Sequence, residues 1–220
     1  MESNRGAPET VASIRRRWGK LYTVTTSEER RFLVLRDGST ERFLEEGAAL
    51  SHEDLDALAG PAARAAGLAL AYRLLAGRDR TERAICAALA KEAVTAPEVV
   101  GDIVVTLRRQ GYLDDRRLAS HYVRYAAAHR PSGPHLMRRR LRVAGVDDDI
   151  IDEELRAAMP PEREREMALA LARGKLRGAK DRARAARRIH GFLARRGFSE
   201  RVVSSICAAI LGGALPGEDE

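Results

Sequence analysis

Few residues of this 220-residue chain are spaced for catalysis. Asp114-Asp115 and Asp147-Asp148-Asp149 are the acid groups that could hold a metal or exchange protons. Each sits just ahead of an apolar helical pattern, where one acid caps the helix and the next opposes the positive end of its dipole. Neither has the ligand spacing of a calcium loop. The five histidines, His52, His121, His129, His135 and His190, form no HExxH and no triad order. Arg173-Gly174-Lys175 resembles the end of a phosphate loop, but the earlier glycine at the required spacing and the strand leading in are missing. Cys86 and Cys207 stand singly in Ala/Ile surroundings without a CxxC, which suits small core residues. No enzyme, metal or cofactor is expected.

What remains is positive charge. Lys and Arg number 39 against 32 Asp and Glu, a net +7, and surplus cations attract polyanions. Arg173, Lys175, Arg177, Lys180, Arg182, Arg184, Arg187, Arg188, Arg195 and Arg196 crowd a region whose one acid is Asp181. On a helix Lys180, Arg184, Arg187 and Arg188 share a face, with Ala183, Ala186, Ile189 and Leu193 as the apolar stripe. A second cluster, Arg138, Arg139, Arg140 and Arg142, is backed by Leu136, Met137 and Leu141, and Arg124 and Arg130 lie near it in sequence. An anionic partner would relieve the repulsion within each face; the plain alternative is a solvated surface whose cations meet acids from another part of the chain. Phosphates as the target would make binding fall steeply with salt, and carboxylates would give a gentler dependence. Aromatic residues are only 5% of the chain, so Tyr122, Tyr125 and Phe192 are expected in the core. Trp18, between Arg15-Arg16-Arg17 and Lys20, is either an exposed contact or an anchor for the N-terminal strands.

The elements that must position these residues read differently before and after residue 60. Val11–Ile14, Leu21–Thr25 and Arg31–Leu35 are short β-favouring runs, and Asp37-Gly38 predicts a hairpin turn pairing Arg31–Leu35 with Ser39–Phe43. Ser51 and Asp54 have the spacing of a capping box. Beyond Gly60-Pro61 the pattern is helical and repeats with a period of about 52 residues. Leu89, Leu141 and Leu193 are each followed four residues later by Ala93, Gly145 or Gly197, then by Val94, Val146 or Phe198. The β-branched pairs Val99-Val100, Ile150-Ile151 and Val202-Val203 come next. Each copy thus says helix, left-handed cap, turn, helix, with Asp147 and Ser199 as caps of the following helix. Ala93 suits the left-handed region poorly, so the first copy is expected to end its helix by another geometry.

The predicted fold is mainly all-α: three tandem three-helix repeats forming an elongated arch, at 61–113, 114–159 and 160–212. A small β-hairpin-containing segment (1–60) precedes them and a flexible acidic tail (213–220) follows. No apolar run approaches the roughly 20 residues that span a bilayer, and the N-terminus lacks the apolar stretch of a secretory signal, so a cytoplasmic monomer without membrane contact is expected.

Three ordered segments carry a family resemblance. Leu107-Arg108-Arg109-Gln110-Gly111-Tyr112-Leu113-Asp114-Asp115 leads into Arg116–Arg124 with an Ala-x-x-Tyr-Val core; Ser132-Gly133-Pro134 opens a helix running to Leu141; Phe192–Ser199 closes the last copy. Over roughly residues 65–211 the chain resembles the RecX family of bacterial recombination regulators. The resemblance implies binding to the RecA recombinase filament on single-stranded DNA and suppression of its ATP turnover, strand exchange and SOS-repressor cleavage. A DNA-binding protein contacting single- or double-stranded DNA through its basic helices without a recombinase is the alternative, and a helical scaffold for another protein is a third reading.

Overall fold

The computed structural model describes residues 8–177 and 181–213. Among them four strands precede ten α-helices: β1 (Glu9–Trp18), β2 (Leu21–Thr26), β3 (Arg31–Leu35), β4 (Ala49–Leu50), α1 (His52–Ala59), α2 (Pro61–Gly77), α3 (Glu82–Lys91), α4 (Pro97–Arg109), α5 (Asp115–His129), α6 (Pro134–Ala144), α7 (Asp148–Ala158), α8 (Pro161–Leu176), α9 (Arg182–Arg195) and α10 (Glu200–Gly212). The fold is mainly α-helical with a small antiparallel β part at its N-terminal end. Two compact units divide it, residues 1–114 and 115–220. Lys180 and all of the acidic tail except Gly213 lie outside the described residues.

In the first unit the strands form an antiparallel sheet in the order β3-β2-β1-β4. The hairpin expected at Asp37-Gly38 is not formed; β3 pairs instead with β2 through the turn that contains Glu29. The Asp37 carboxylate accepts the Ser39 and Thr40 amides at 2.8 and 3.1 Å, and the Thr40 hydroxyl donates to the Leu35 carbonyl at 2.6 Å. These local bonds turn the chain into a 3-10 segment, Glu41–Phe43, rather than a returning strand. Strand alternation then sends opposite residues to two layers. Val24 and Val34 pack with Phe43, Leu55 and Leu58 beneath α1. Leu21 and Leu33 join Leu70, Ile85, Leu89 and Ile103 of α2, α3 and α4, so the sheet and the first repeat share one core. Trp18 is partly buried against that core, with the Arg17 and Arg73 guanidiniums over its ring at 5.0 and 5.8 Å, which makes it an anchor of the sheet.

The three repeats are α2–α4, α5–α7 and α8–α10. Ala93 departs from expectation: its φ is +66°, the same left-handed cap that Gly145 (+95°) and Gly197 (+78°) adopt. The amides of Val94, Val146 and Phe198 donate to the carbonyls of Leu89, Leu141 and Leu193 at 2.9, 3.1 and 3.2 Å. These wrap-back bonds tie each helix end to a buried leucine and return the apolar residue to the core. The first copy therefore keeps the geometry of the others and carries the steric cost of a Cβ in the left-handed region.

Within the second unit, repeat two centres on Val123, Met137, Leu141 and Ile151, and repeat three on Ile189, Leu193, Val203 and Ile206; Met167 packs against both clusters. Backbone joins them as well. The Gly133 amide donates to the Arg196 carbonyl at 2.9 Å and the His135 amide to the Gly197 carbonyl at 3.1 Å. A Cβ on Gly133 would collide with the Gly197 carbonyl, and one on Gly197 with the backbone of Leu136. The glycine ahead of Pro134 is thus a site of close approach between repeats.

Candidate basic interface

The cations of repeat two are sorted by helix α7, which carries most of the acids of that repeat. From Arg116 to Val146 there is no Asp or Glu. Arg138 pairs with Asp152, Arg142 with Asp148 at 2.8 Å, and Arg116 with Glu153 at 2.5 Å. With 100° per residue, Arg138 and Arg142 lie on the flank of α6 that meets α7, and Arg140 on the opposite flank, where its guanidinium reaches the Tyr122 hydroxyl at 3.5 Å. Arg124, Arg130, Arg139 and Arg140 are exposed, and none forms an ion pair among the described residues. Tyr122 is partly buried against the repeat's core. Tyr125 is not: it is 48% exposed and stacked on His129, with ring centres 4.5 Å apart, one helical turn along α5. The expectation of a core tyrosine fails there because Ala126, its neighbour, takes the buried position.

In repeat three, α9 starts at Arg182, with the Asp181 carboxylate accepting the Arg184 amide at 2.9 Å. Its buried stripe is Ala185, Ala186, Ile189 and Leu193; Ala183, expected there, is exposed. Arg184, Arg187, Arg188 and Arg195 share the outer face across Gly191, at helical spacings of three, four, seven and eight. Lys175 and Arg177 end α8 beside them in sequence. The Arg188 guanidinium donates to the Lys175 carbonyl at 3.2 Å, a cation placed at the negative end of α8. Lys175 and Arg196 lie over the Phe192 ring, each 5.1 Å from its centre, and Phe192 itself packs on the repeat's core. Arg196 turns inward and donates to the Pro131 carbonyl at 2.7 Å, joining the two repeats. Among the described residues no acid pairs with Lys175, Arg177, Arg184, Arg187, Arg188, Arg195 or Arg196.

Two acids of this repeat, Glu164 and Glu200, are occupied elsewhere. Glu164 is 7% exposed and accepts the Ser199 amide and hydroxyl at 2.6 and 3.1 Å, so the Ser199 side chain serves it instead of capping α10. Asp147, at the start of α7, likewise makes no side-chain cap bond. Glu200 is held below the usual carboxylate range by the Ser204 hydroxyl first and the His190 ring second. Burial, reinforced by Glu200, pushes the Cys207 thiol up, away from thiolate chemistry. No group of His, Cys, Asp or Glu among the described residues is arranged to hold a metal. Nor, among them, is any helix long and apolar enough to cross a membrane.

Sequence spacing identified both clusters but not their division. Which arginines α7 neutralises depends on a tertiary contact. It also missed a set of polar residues on the N-terminal sheet, although Ser13, Arg15 and Arg17 alternate along β1 as Thr23 and Thr25 do along β2.

Comparison with known proteins follows this architecture. The RecX second three-helix domain matches residues 114–155, which take in α5, α6 and most of α7. The regulatory protein RecX of Mycobacterium ulcerans (strain Agy99) is 37% identical over 147 residues, covering 65% of this chain and 83% of that protein. That of Mycobacterium leprae (strain Br4923) is 34% identical over 145 residues, covering 64% and 84%. A crystal structure of regulatory protein RecX superposes with a TM-score of 0.58 at 27% identity over 89% of this chain and 97% of that one. The structure of RecX from Lactobacillus salivarius shares the fold, with a TM-score of 0.60 at 19% identity over 69% and 96%. Sequence relatives and repeat architecture agree, and the chain belongs to the RecX family of regulatory proteins.

Proposed function

We propose that this protein binds the RecA–single-stranded DNA filament and lowers its ATP turnover, strand exchange and SOS-repressor cleavage, acting through the basic faces of repeats two and three. One observation carries the reading: after the acids of α7 have paired with Arg138, Arg142 and Arg116, Arg139 and Arg140 of α6 and the Arg184–Arg195 face of α9 keep their charge for a partner. A filament offers both DNA phosphates and protein carboxylates to such a face. Such a regulator acts by occupying its partner and has no catalytic step of its own. Stoichiometric protein should lower both ATP turnover and strand exchange by preformed filaments; unchanged rates of both would refute it.

Direct DNA binding without a recombinase is the second reading. What favours it is the exposed Tyr125–His129 stack, in a stretch without acids from Arg116 to Val146, since flat aromatic faces beside cations suit unpaired bases. Titration of naked single- and double-stranded DNA across a salt series separates the two. Tight, salt-steep binding with no preference for the filament would favour the DNA-binding reading.

A further inference from the structure

The face of the sheet that packs on α2 is apolar over only part of its area. Beside Leu21 and Leu33 the same face carries Thr23, Thr25 and Ser13, and the register sets Arg15 opposite Thr23, Ser13 opposite Thr25 and Arg31 also opposite Thr25. The end of α3 overhangs these residues, and together they line a cavity of about 250 Å³. Its four cations, Arg15, Arg17, Arg31 and Lys91, face a single carboxylate, Glu92. Arg17 takes that carboxylate with two bonds, at 2.9 and 2.6 Å. Arg15, Arg31 and Lys91 form no ion pair among the described residues.

Three uncompensated cations and three hydroxyls therefore converge on one concavity. The C-terminal end of α3 brings about half a negative charge there, which three cations outweigh. Drug-sized organic ligands usually occupy about 300–1,000 Å³ of mostly apolar lining, so this smaller polar cavity suits something else. Guanidinium forks with hydroxyl and ammonium donors match the oxygens of a phosphate group. A concave lining of one sign also focuses the field that draws an anion in.

We propose that this cavity is a phosphate-binding site, formed jointly by β1, β2, β3 and the end of α3. Arg15, Arg31 and Lys91 supply the charge, Ser13, Thr23 and Thr25 donate from the floor, and the Arg17–Glu92 pair fixes the wall. The phosphate is either free, as in a polyphosphate, or part of a nucleic-acid strand. The site lies in the first unit and does not depend on the recombinase reading.

The test titrates the full chain and the variant Arg15→Ala/Arg31→Ala/Lys91→Ala with inorganic pyrophosphate and with a short single-stranded oligonucleotide. All three side chains are exposed, so the variant is expected to fold, and its melting without ligand checks this. The expected result is a loss of at least about tenfold in affinity for one probe or both. Loss for pyrophosphate alone assigns the site to free phosphates. Loss for the oligonucleotide, with a salt slope smaller by about 2, assigns it to a strand, because each neutralised phosphate of a single strand contributes about 0.7. Thr23→Val/Thr25→Val weakens the same probe while leaving the charge intact. Unchanged affinity in both variants, or no binding of either probe by the wild type, overturns the proposal.

Discussion

Glu92 shows what a single pairing contributes. Its side chain is 7% exposed and its partner Arg17 is 29% exposed, a half-sheltered pair that ties β1 to the end of α3. Removing one partner of a buried pair strands the other charge, which costs about 3 kcal/mol when burial is full. With Arg17 partly in water the loss is smaller, and Arg17→Ala should lower the urea midpoint of unfolding. Asp54 makes a pH-dependent case. The Ser51 amide, then the Ser51 hydroxyl, hold its carboxyl below the ordinary 3.8. A carboxyl depressed in the folded state contributes stability that is complete above its unfolded value and is lost as the pH falls through its folded value. Part of the acid sensitivity below pH 3.8 should therefore disappear in Asp54→Asn, while Ser51→Ala should cost about 1 kcal/mol at neutral pH. Unfolding curves of both variants across the acid range check the two statements.

At the scale of elements, the three wrap-back caps set the repeat. Ala93 occupies in the first copy what glycine occupies in the others, at φ +66°. A non-glycine residue there costs roughly 1–2 kcal/mol, and glycine returns part of that gain as chain entropy, so Ala93→Gly should stabilise the protein by about 0.5–1 kcal/mol. Gly197→Ala should do the reverse, and more strongly, because it adds a collision with Leu136 to the backbone strain. A loss of about 3 kcal/mol is expected from the two effects together. Thermal melts of these variants beside Gly145→Ala would rank the three caps. Most helix boundaries were legible because their signals are local: Thr81 accepts the Ala84 amide as a cap, and Pro97, Pro134 and Pro161 open helices. The cap at Ala93 was hidden because local preference disfavours it and only the packing of Val94 and Leu89 enforces it. The turn at Asp37-Gly38 misled for the opposite reason. Its residues suit a hairpin, but their own side chains close a different turn, and the strand partner of β3 lies earlier in the chain.

For the whole molecule, the basic face was legible as charge and illegible as geometry. Arg138, Arg139, Arg140 and Arg142 are alike in sequence, yet Arg138 and Arg142 meet Asp152 and Asp148 while Arg139 and Arg140 pair with no acid among the described residues. The chain belongs to a family of regulatory proteins, and on α9 Arg184, Arg187, Arg188 and Arg195 share a face and pair with no acid among the described residues. Our proposal makes that face the part that meets the RecA–DNA filament. The most direct measurement is filament ATP turnover with stoichiometric wild-type protein and with Arg184→Glu/Arg187→Glu/Arg188→Glu, whose exposed positions leave the buried stripe of α9 untouched. The proposal predicts that the wild type slows turnover and that the reversed variant, equally well folded, does not. Equal inhibition by both proteins, or none by the wild type, would contradict it.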